Sequence, residues 1–287
     1  MNQNSAAFEI ISVKSGARSL RCCATGETFH PVVGPMIEAR ILHVRQQRLL
    51  ERAAAANPAA PFVIWDVGLG AAANAIAVLE AFAAAAPALP RRIELHSFDS
   101  TLQPLEFALQ HAQDLEYLVP YVGAARALIA TGRAELSESL EWRLHFGDFR
   151  ELIEEAALPT PEAILYDPYS AKSNPGMWTL EHFKQVRIRL GSDAPCMLTN
   201  YTRSTAVRVT LLLAGFFVGH GAGVGEKDQT TAAVNRLELL ESPLDVAWLE
   251  RVRASTCGAP LRARGEPGRI AKADWDALLA HPQFQEP

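Results

Sequence analysis

The stretch FVIWDVGLGAAANAIAVLEAFAAAA, residues 62–86, decides the fold of this chain. Its opening run FVIWDVG (62–68) is almost uninterruptedly apolar and predicts a buried strand, and the alanine-rich run 71–86 predicts a helix. Between them, Gly68 and Gly70 allow the backbone to pass close to a ligand, and the helix start offers free N–H groups. The unit therefore predicts an α/β fold with a ligand site at this turn.

Strands and helices continue to alternate beyond this unit. Five apolar strands separated by helices imply a parallel sheet that is buried on both faces. The last two strands have no helix between them, so we expect them to pair antiparallel. The further strands are predicted at IELHSFD (93–99), WRLHFGD (142–148), EAILYDP (162–168), PCMLTNY (195–201), FFVGHG (216–221) and TTAAVNRL (230–237), and the further helices at 105–118, 122–131, 150–157, 179–190 and 206–214.

Two flanking segments differ in character from the alternating core, which we assign to residues 57–241. Residues 1–56 predict a small β-hairpin followed by one helix over 35–56, ended by the proline that follows. Residues 242–287 predict a helical tail. Its first helix is expected to begin with Ser242 as N-cap and a proline at the first position, and the Gly-, Pro- and Arg-rich stretch 258–270 is expected to be irregular.

The composition of the 287 residues is that of an ordinary globular protein, with 49% hydrophobic and 21% charged residues. The net charge of −5 argues against a surface broadly coated for nucleic acid, but it leaves room for a local basic patch. No apolar run approaches the roughly 20 residues of a membrane span. Because the N-terminus also lacks the features of a signal peptide, we predict a cytoplasmic protein without a membrane partner. The cysteines form no CxxC pair and the histidines no HxxxH, so no metal site is predicted.

Acidic residues stand at the ends of three predicted strands: Asp66, Asp99 and Asp148. Ligands of open α/β sheets bind outside the carboxyl ends of the strands. Asp99 is placed to accept the ribose hydroxyl hydrogens of a nucleoside, and Asp148 to accept from an adenine amino group while Phe149 packs on the ring. Each aspartate also fits the role of an N-cap, but three in register favour a nucleoside-containing cofactor.

A dinucleotide cofactor is the first alternative, because the turn also fits the pattern GxGxxA with Ala73 in third place. Asp99 follows Gly70 by 29 residues, which is more than the roughly 20 expected for such a fingerprint. The spacing mildly disfavours NAD and a dehydrogenase.

The fourth strand of the predicted core runs into DPYSAKSNPGMW, residues 167–178. Beside a methyl donor, an Asp-Pro-aromatic turn suits methyl transfer to an amine, because Asp167 and the turn carbonyls accept the amine hydrogens and aim the lone pair. The ring of Tyr169 covers the acceptor. The amine must attack in its neutral form, so Asp167 would take the proton or steer the protonation equilibrium. Alignment and exclusion of water supply most of the rate, and both residues are predicted to be catalytic.

This motif resembles the DPFSPxxNPxxW signature of the MnmC-like methyltransferases, which form the methyltransferase half of a bifunctional tRNA-modifying enzyme or occur alone. The resemblance covers roughly residues 8–237 and extends through 66–70, 199–202 and 223–227. It implies a Rossmann-like class I methyltransferase with a mostly parallel seven-stranded sheet and a terminal antiparallel hairpin. It also implies S-adenosylmethionine as cofactor and the 5-aminomethyl group of a tRNA wobble uridine as acceptor. Since the chain shows no flavin-binding oxidase half, it resembles the stand-alone form.

The resemblance also implies roles for individual residues. Asp167 matches the catalytic aspartate of the family, and Asp66 stands where methyltransferases commonly hold an acidic group near the amino-acid part of the cofactor. The predicted cofactor site comprises Asp66, Gly68, Gly70, Asp99, Asp148, Phe149 and Asp167. The predicted substrate contacts are Asn174, Trp178, Arg203, Arg208 and Lys227.

Departures from the family pattern keep other acceptors open. The family often has proline where Ala171 stands, and it tends to have Arg where Asp228 follows Lys227. A small-molecule amine is therefore an alternative acceptor to tRNA, and a catalytically silent binding subunit is an alternative from another class. Arg45, Arg48 and Arg52 are expected to share one helix face, either as a solvated stripe or as a phosphate track.

Overall fold

The computed structural model of the chain describes residues 7–55, 60–85, 91–154, 158–191, 194–225 and 228–285. Over these residues the chain forms ten strands and ten α-helices. The strands are β1 (Phe8–Ser12), β2 (Arg18–Cys22), β3 (Phe62–Val67), β4 (Ile93–Asp99), β5 (Arg133–Ser137), β6 (Leu140–Phe146), β7 (Ala163–Tyr166), β8 (Met197–Asn200), β9 (Phe217–Gly221) and β10 (Thr230–Val234). The helices are α1 (Pro35–Ala39), α2 (Leu49–Ala55), α3 (Ala73–Ala85), α4 (Gln103–Gln110), α5 (Val122–Thr131), α6 (Phe149–Leu152), α7 (Leu180–Arg189), α8 (Thr205–Leu213), α9 (Val246–Ala254) and α10 (Lys272–Leu279).

The main sheet has eight strands in the order β5-β6-β4-β3-β7-β8-β10-β9. The five central strands from β6 to β8 are parallel, and β10 pairs antiparallel with both β8 and β9. This arrangement confirms the predicted fold class, including the terminal antiparallel hairpin. The sheet has one strand more than predicted, because β5 pairs antiparallel with β6 at the edge. Only Ala134 of β5 is buried, so the sequence there carries no apolar run.

Both faces of the sheet are covered by apolar side chains, which explains why the central strands read as continuous hydrophobic runs. Along β3, Phe62 and Ile64 belong to the core beneath α3 and α5, whereas Val63 and Trp65 belong to the core beneath α7 and α8. Alternate residues of one strand therefore supply opposite cores, as the pleat of a strand requires.

The predicted helix over 35–56 is interrupted. Its middle, Arg40–Arg45, is a π-helix, and Arg48 adopts a positive φ of 50° before α2 begins. The irregular turns direct His43 and Gln47 inward, where both side chains bond the Thr199 hydroxyl at 2.8 and 2.7 Å. The sequence pattern did not reveal this because a buried polar contact overrides the regular helical repeat.

The expected face shared by Arg45, Arg48 and Arg52 is not formed. The Arg52 guanidinium turns to the protein and donates to the carbonyl oxygens of Glu162 and Pro195 at 2.6 and 2.9 Å. Arg45 and Arg48 remain exposed. A phosphate track through all three residues is therefore a wrong prediction.

The first helix of the C-terminal tail begins later than predicted. Asp245, not Ser242, is the N-cap of α9, and its carboxylate accepts the Trp248 N–H at 2.9 Å. The Ser242 carbonyl instead accepts the His220 N–H at 2.8 Å, so the chain runs beside β9 before the helix starts. Residues 258–270 contain neither helix nor strand, as expected. Among the helices described, none has the length and hydropathy needed to cross a membrane.

Candidate active site

A cavity of about 680 Å³ lies at the carboxyl ends of the parallel strands. Its volume falls within the range of about 300 to 1,000 Å³ that is typical of small-molecule sites. Residues that follow β3, β4, β6, β7 and β8 line one side, and residues 27–32, between the N-terminal hairpin and α1, line another. Most predicted site residues meet here: Gly68, Gly70, Asp99, Asp148, Phe149, Asp167, Tyr169, Asn174 and Trp178 all line the cavity.

The turn after β3 and the turn after β7 touch at Gly68. This residue has a φ of +93°, and a Cβ added to it would lie 2.5 Å from the carbonyl oxygen of Asp167. Only glycine combines this backbone angle with so close an approach. The two sequence motifs, one predicted to bind the cofactor and one to bind the acceptor, are therefore in direct backbone contact.

Asp99 lies at the end of β4 and is held by the glycine turn. Its Oδ2 accepts the Gly70 N–H at 3.0 Å, and its Oδ1 accepts the Thr101 N–H at 3.1 Å. Burial raises the pKa of Asp99, although these N–H groups act in the opposite direction. Each carboxylate oxygen has a second lone pair, so Asp99 retains the capacity to accept ribose hydroxyl hydrogens.

Asp148 and Phe149 follow β6, where α6 begins. Asp148 is the N-cap of this helix and accepts the Arg150 N–H at 2.9 Å. It also pairs with the Arg150 guanidinium, and this hydrogen bonding lowers the pKa of Asp148. The N-cap role is thus present, and the contact with an adenine amino group stays a prediction. The Phe149 ring packs edge-on against Phe98, with 4.9 Å between centroids.

Asp66 lies below the cavity rather than along its lining. Its side chain is fully buried, and its Oδ2 accepts the Ser97 hydroxyl at 2.7 Å. Among the described residues, its Oδ1 has no hydrogen-bond partner. Burial first, and the charges of Asp167 and Asp99 to a smaller degree, raise the pKa of Asp66 to about 8, although the hydrogen bond from Ser97 acts in the opposite direction.

This shift makes Asp66 a pH-dependent element of stability. The proton is held more tightly in the folded than in the unfolded chain, so its stabilising contribution is complete below an ordinary pKa near 3.8 and is lost as pH rises to about 8. Asp66→Asn stays neutral, so we expect its free energy of unfolding to fall less steeply over this range, by roughly 1 kcal/mol per pH unit. Urea unfolding at a series of pH values measures this difference. The exposed Asp114→Asn is the control, and equal slopes for Asp66→Asn and the wild type would refute the burial argument.

Asp167 is oriented by side chains from two other elements. Its Oδ2 accepts from Asn74 Nδ2 at 3.1 Å, and Asn74 Oδ1 in turn accepts the Tyr201 hydroxyl at 3.1 Å. Asn74 lies in the first turn of α3, and Tyr201 follows β8. Both residues lie in runs that predict elements of the core, but neither was assigned a role from the sequence. An isolated amide within an alanine-rich run was the available signal for Asn74.

Side chains in the second half of the run 167–178 support the Asp-Pro-Tyr turn in its first half. Tyr169 has a positive φ of 59°, a conformation that a non-glycine residue keeps only when its surroundings enforce it. Asn174 Nδ2 donates to the Pro168 carbonyl at 3.2 Å, and Trp178 Nε1 donates to the Tyr169 carbonyl at 3.1 Å. Both residues, predicted as substrate contacts, therefore hold the turn from within the protein as well as lining the cavity.

The three predicted basic contacts have different positions. Arg208 is buried in α8 and donates to the Thr231 hydroxyl at 3.0 Å and the Thr230 carbonyl at 2.8 Å, so it stabilises β10 and does not reach the cavity. Its prediction as a substrate contact is corrected on this ground. Arg203 is exposed on the loop after β8, between two residues that line the cavity. Lys227 lies outside the described residues.

The segment 27–32 closes the cavity opposite the sheet. The Phe29 ring meets the Tyr169 ring edge-on, with 5.4 Å between centroids. The Glu27 carboxylate accepts the Ser170 N–H at 3.0 Å. These contacts tie the N-terminal segment to the Asp-Pro-Tyr turn, so this segment forms one wall of the cavity.

The residues present fit a nucleoside cofactor with an amino-acid arm. A glycine turn with no room for a side chain at Gly68 lines the cavity, and Asp99 supplies an acceptor at the neighbouring strand end. Within the described ranges, no three His, Cys, Asp or Glu side chains are grouped so as to hold a metal ion.

Comparisons with known proteins agree with the resemblance found in the sequence. A family model described as "S-adenosyl-L-methionine-dependent methyltransferase" matches residues 115–236. The "tRNA 5-methylaminomethyl-2-thiouridine biosynthesis bifunctional protein MnmC" of Chromobacterium violaceum is 28% identical over 253 residues, covering 84% of this chain and 35% of that protein. The protein of the same name from Ralstonia nicotianae is 32% identical over 192 residues, covering 64% of this chain and 26% of that protein. This chain thus spans about a third of the length of such relatives.

Among solved structures, "Crystal structure of MNMC2 from Aquifex Aeolicus" matches with a TM-score of 0.70 and 26% identity. The match covers 97% of this chain and 86% of that one. Together, the comparisons confirm the predicted resemblance, the class I fold and S-adenosylmethionine as the cofactor.

Proposed function

Because the chain is an S-adenosylmethionine-dependent methyltransferase, we propose that it methylates a primary amine held by Asp167. We further propose that this amine is the 5-aminomethyl group of a tRNA wobble uridine, with or without a 2-thio group. The product is then the 5-methylaminomethyl form. The observation that supports the proposal is the position of Asp167. This residue lines the cavity, and its backbone carbonyl lies directly against Gly68 of the glycine turn.

The bound cofactor supplies an electrophilic methyl group on its sulfonium. Gly68 and Gly70 bring the backbone close to the amino-acid arm, and Asp99 accepts hydrogen bonds from the ribose. Asp167 accepts an N–H of the acceptor and, with its own position set by Asn74, directs the nitrogen lone pair along the line of transfer. Tyr169 and Phe29 cover the acceptor and keep water out.

The choice of tRNA draws on the relatives and on two exposed arginines. The relatives are named for the biosynthesis of 5-methylaminomethyl-2-thiouridine in tRNA. Arg150 lines the cavity with its side chain half exposed, and Arg203 stands on the adjacent loop. Guanidinium groups at a cavity mouth suit contact with a phosphate backbone. A tRNA acceptor also fits the expected cytoplasmic location.

The proposal is tested with S-adenosylmethionine carrying a labelled methyl group. The acceptors are tRNA with 5-aminomethyl-uridine at the wobble position, the same tRNA without that group, and a panel of small primary amines. We expect label only in the aminomethyl tRNA, and less label as salt increases because phosphate contacts are screened. Label in a small amine, with none in tRNA at low salt, would refute the tRNA acceptor and favour the small-molecule alternative.

A further inference from the structure

His30 occupies a position between two carboxylates at the wall of the cavity. Its Nε2 lies 3.9 Å from Asp167 Oδ2, and its Nδ1 lies 3.7 Å from Glu38 Oε2. The side chain lines the cavity and is nevertheless only 8% exposed. His30 also has a positive φ of 49°, so its surroundings hold the backbone in a conformation that most residues avoid.

Glu38 fixes the far side of this imidazole. Its Oε1 accepts the N–H groups of Val32 and Val33 at 3.1 and 3.0 Å, which leaves Oε2 facing His30. Burial alone would raise the pKa of Glu38, but hydrogen bonding and charge from His30 together with these N–H groups bring it below its usual range. Glu38 is therefore a buried carboxylate, a form that stabilises a positive charge on a neighbouring imidazole.

We propose that His30 is the base that receives the proton of the substrate ammonium, and that Glu38 is the positioning residue that holds His30 for this task. The inference rests on the proposed methylation of an amine. Asp167 then stays a carboxylate throughout and acts as the acceptor that aims the nitrogen. This division of labour suits the geometry, because Asp167 already accepts from Asn74 and its Oδ2 faces Nε2 of His30.

The proton balance of this step is simple. The substrate enters as R–CH₂–NH₃⁺ and gives one proton to neutral His30, which becomes an imidazolium between Glu38 and Asp167. The neutral amine then attacks, the C–N bond forms as the C–S bond breaks, and the products are the secondary ammonium and S-adenosylhomocysteine. His30 finally releases its proton to solvent, so the enzyme returns to its initial state.

The groups that face His30 come from four elements. Glu38 belongs to α1, Asp167 follows β7, and Tyr201 follows β8 with its ring 5.2 Å from the imidazole. His43, in the π-helix, has its pKa lowered to about 3 by burial first and by the charge of His30 second. His43 therefore stays neutral, and Glu38 and Asp167 are the carboxylates that face His30.

The test compares the wild type with His30→Asn and Glu38→Gln, because asparagine tolerates a positive φ and glutamine keeps an acceptor for the two backbone N–H groups. Methyl transfer to aminomethyl tRNA is measured as kcat/KM from about pH 6 to pH 9. Cofactor binding is measured by calorimetry. The exposed His111→Asn is the matched control and should behave as the wild type in every assay.

We expect His30→Asn to lower kcat/KM about 100-fold near pH 7 with cofactor affinity unchanged. Without the base only the neutral amine reacts, so the remaining rate should rise about tenfold per pH unit and the deficit should shrink toward pH 9. Glu38→Gln removes the negative charge that faces Nδ1 of His30, so we expect a smaller deficit in kcat/KM with the same dependence on pH.

Other outcomes separate this inference from the function on which it rests. A His30→Asn deficit that is constant with pH, that is absent, or that follows a loss of cofactor affinity would overturn the role of His30 alone. A Glu38→Gln variant with wild-type kcat/KM over the whole pH range, or with a deficit that is constant with pH, would overturn the role of Glu38. A wild-type protein that methylates no amine would overturn the proposed function and, with it, the role of His30 as the base.

Discussion

Asp167→Asn is expected to reduce methyl transfer at saturating S-adenosylmethionine by about 1,000-fold, which is within the range for loss of a preorganised charged group that orients a reacting atom. Asparagine keeps the shape of the side chain and one acceptor oxygen. It loses the negative charge that draws the ammonium group into the cavity. Its amide nitrogen is a donor and cannot accept the hydrogen bond that Asn74 Nδ2 gives to Asp167 Oδ2. The loss should therefore appear in turnover.

Binding of the cofactor should survive this change. The Gly68 contact uses the backbone carbonyl of Asp167, which the substitution does not alter. We expect calorimetry to give a dissociation constant within about threefold of the wild type, a difference below 1 kcal/mol. Asp99→Asn serves as the reciprocal control, because it should weaken cofactor binding and preserve turnover once the cofactor saturates. Near-normal turnover in Asp167→Asn would refute the proposal that Asp167 holds the acceptor amine.

Gly68→Ala is expected to damage both cofactor binding and stability. The φ of +93° costs a residue with a side chain about 1 to 3 kcal/mol. The added Cβ also meets the Asp167 carbonyl carbon at 2.8 Å and the Pro168 Cα at 2.9 Å, and overpacking of this kind adds about 1 to 3 kcal/mol. Because the obstacle is backbone, it cannot rotate away, so the two turns must separate.

Separation of the turns should lower cofactor affinity by about 100-fold or more, equivalent to about 2.7 kcal/mol. Gly16→Ala is the matched control, since Gly16 has a φ of +85° and no heavy atom within 4 Å of an added Cβ. It should show the backbone cost in urea unfolding but normal binding in calorimetry. Equal effects of the two substitutions would mean that the close approach at Gly68 contributes nothing beyond its backbone angle.

Much of the fold was predictable because the parallel strands are buried on both faces and leave an apolar record in the sequence. The strand-end residues Asp99, Asp148 and Asp167 were predictable for a related reason, since parallel strands deliver their carboxyl ends to one edge. Edge strand β5 was missed because it buries a single residue and has no such record.

The remainder of the site depends on contacts between distant segments, for which a local pattern carries no signal. His30 reaches Asp167, and Glu38 reaches His30, only after the N-terminal segment has packed against the carboxyl ends of the strands. Arg208 was predicted as a substrate contact because its position after β8 indicated the active face. Its guanidinium instead donates hydrogen bonds to Thr230 and Thr231 of β10.

Two separate parts of the chain line the cavity, and we propose a different role for each. The residues proposed to hold the donor lie at strand ends, whereas residues 27–32 line the cavity from outside the main sheet. We therefore expect substitutions at positions 27–32 that face Tyr169 to alter which acceptors the cavity admits, while the strand-end residues proposed for the donor remain in place.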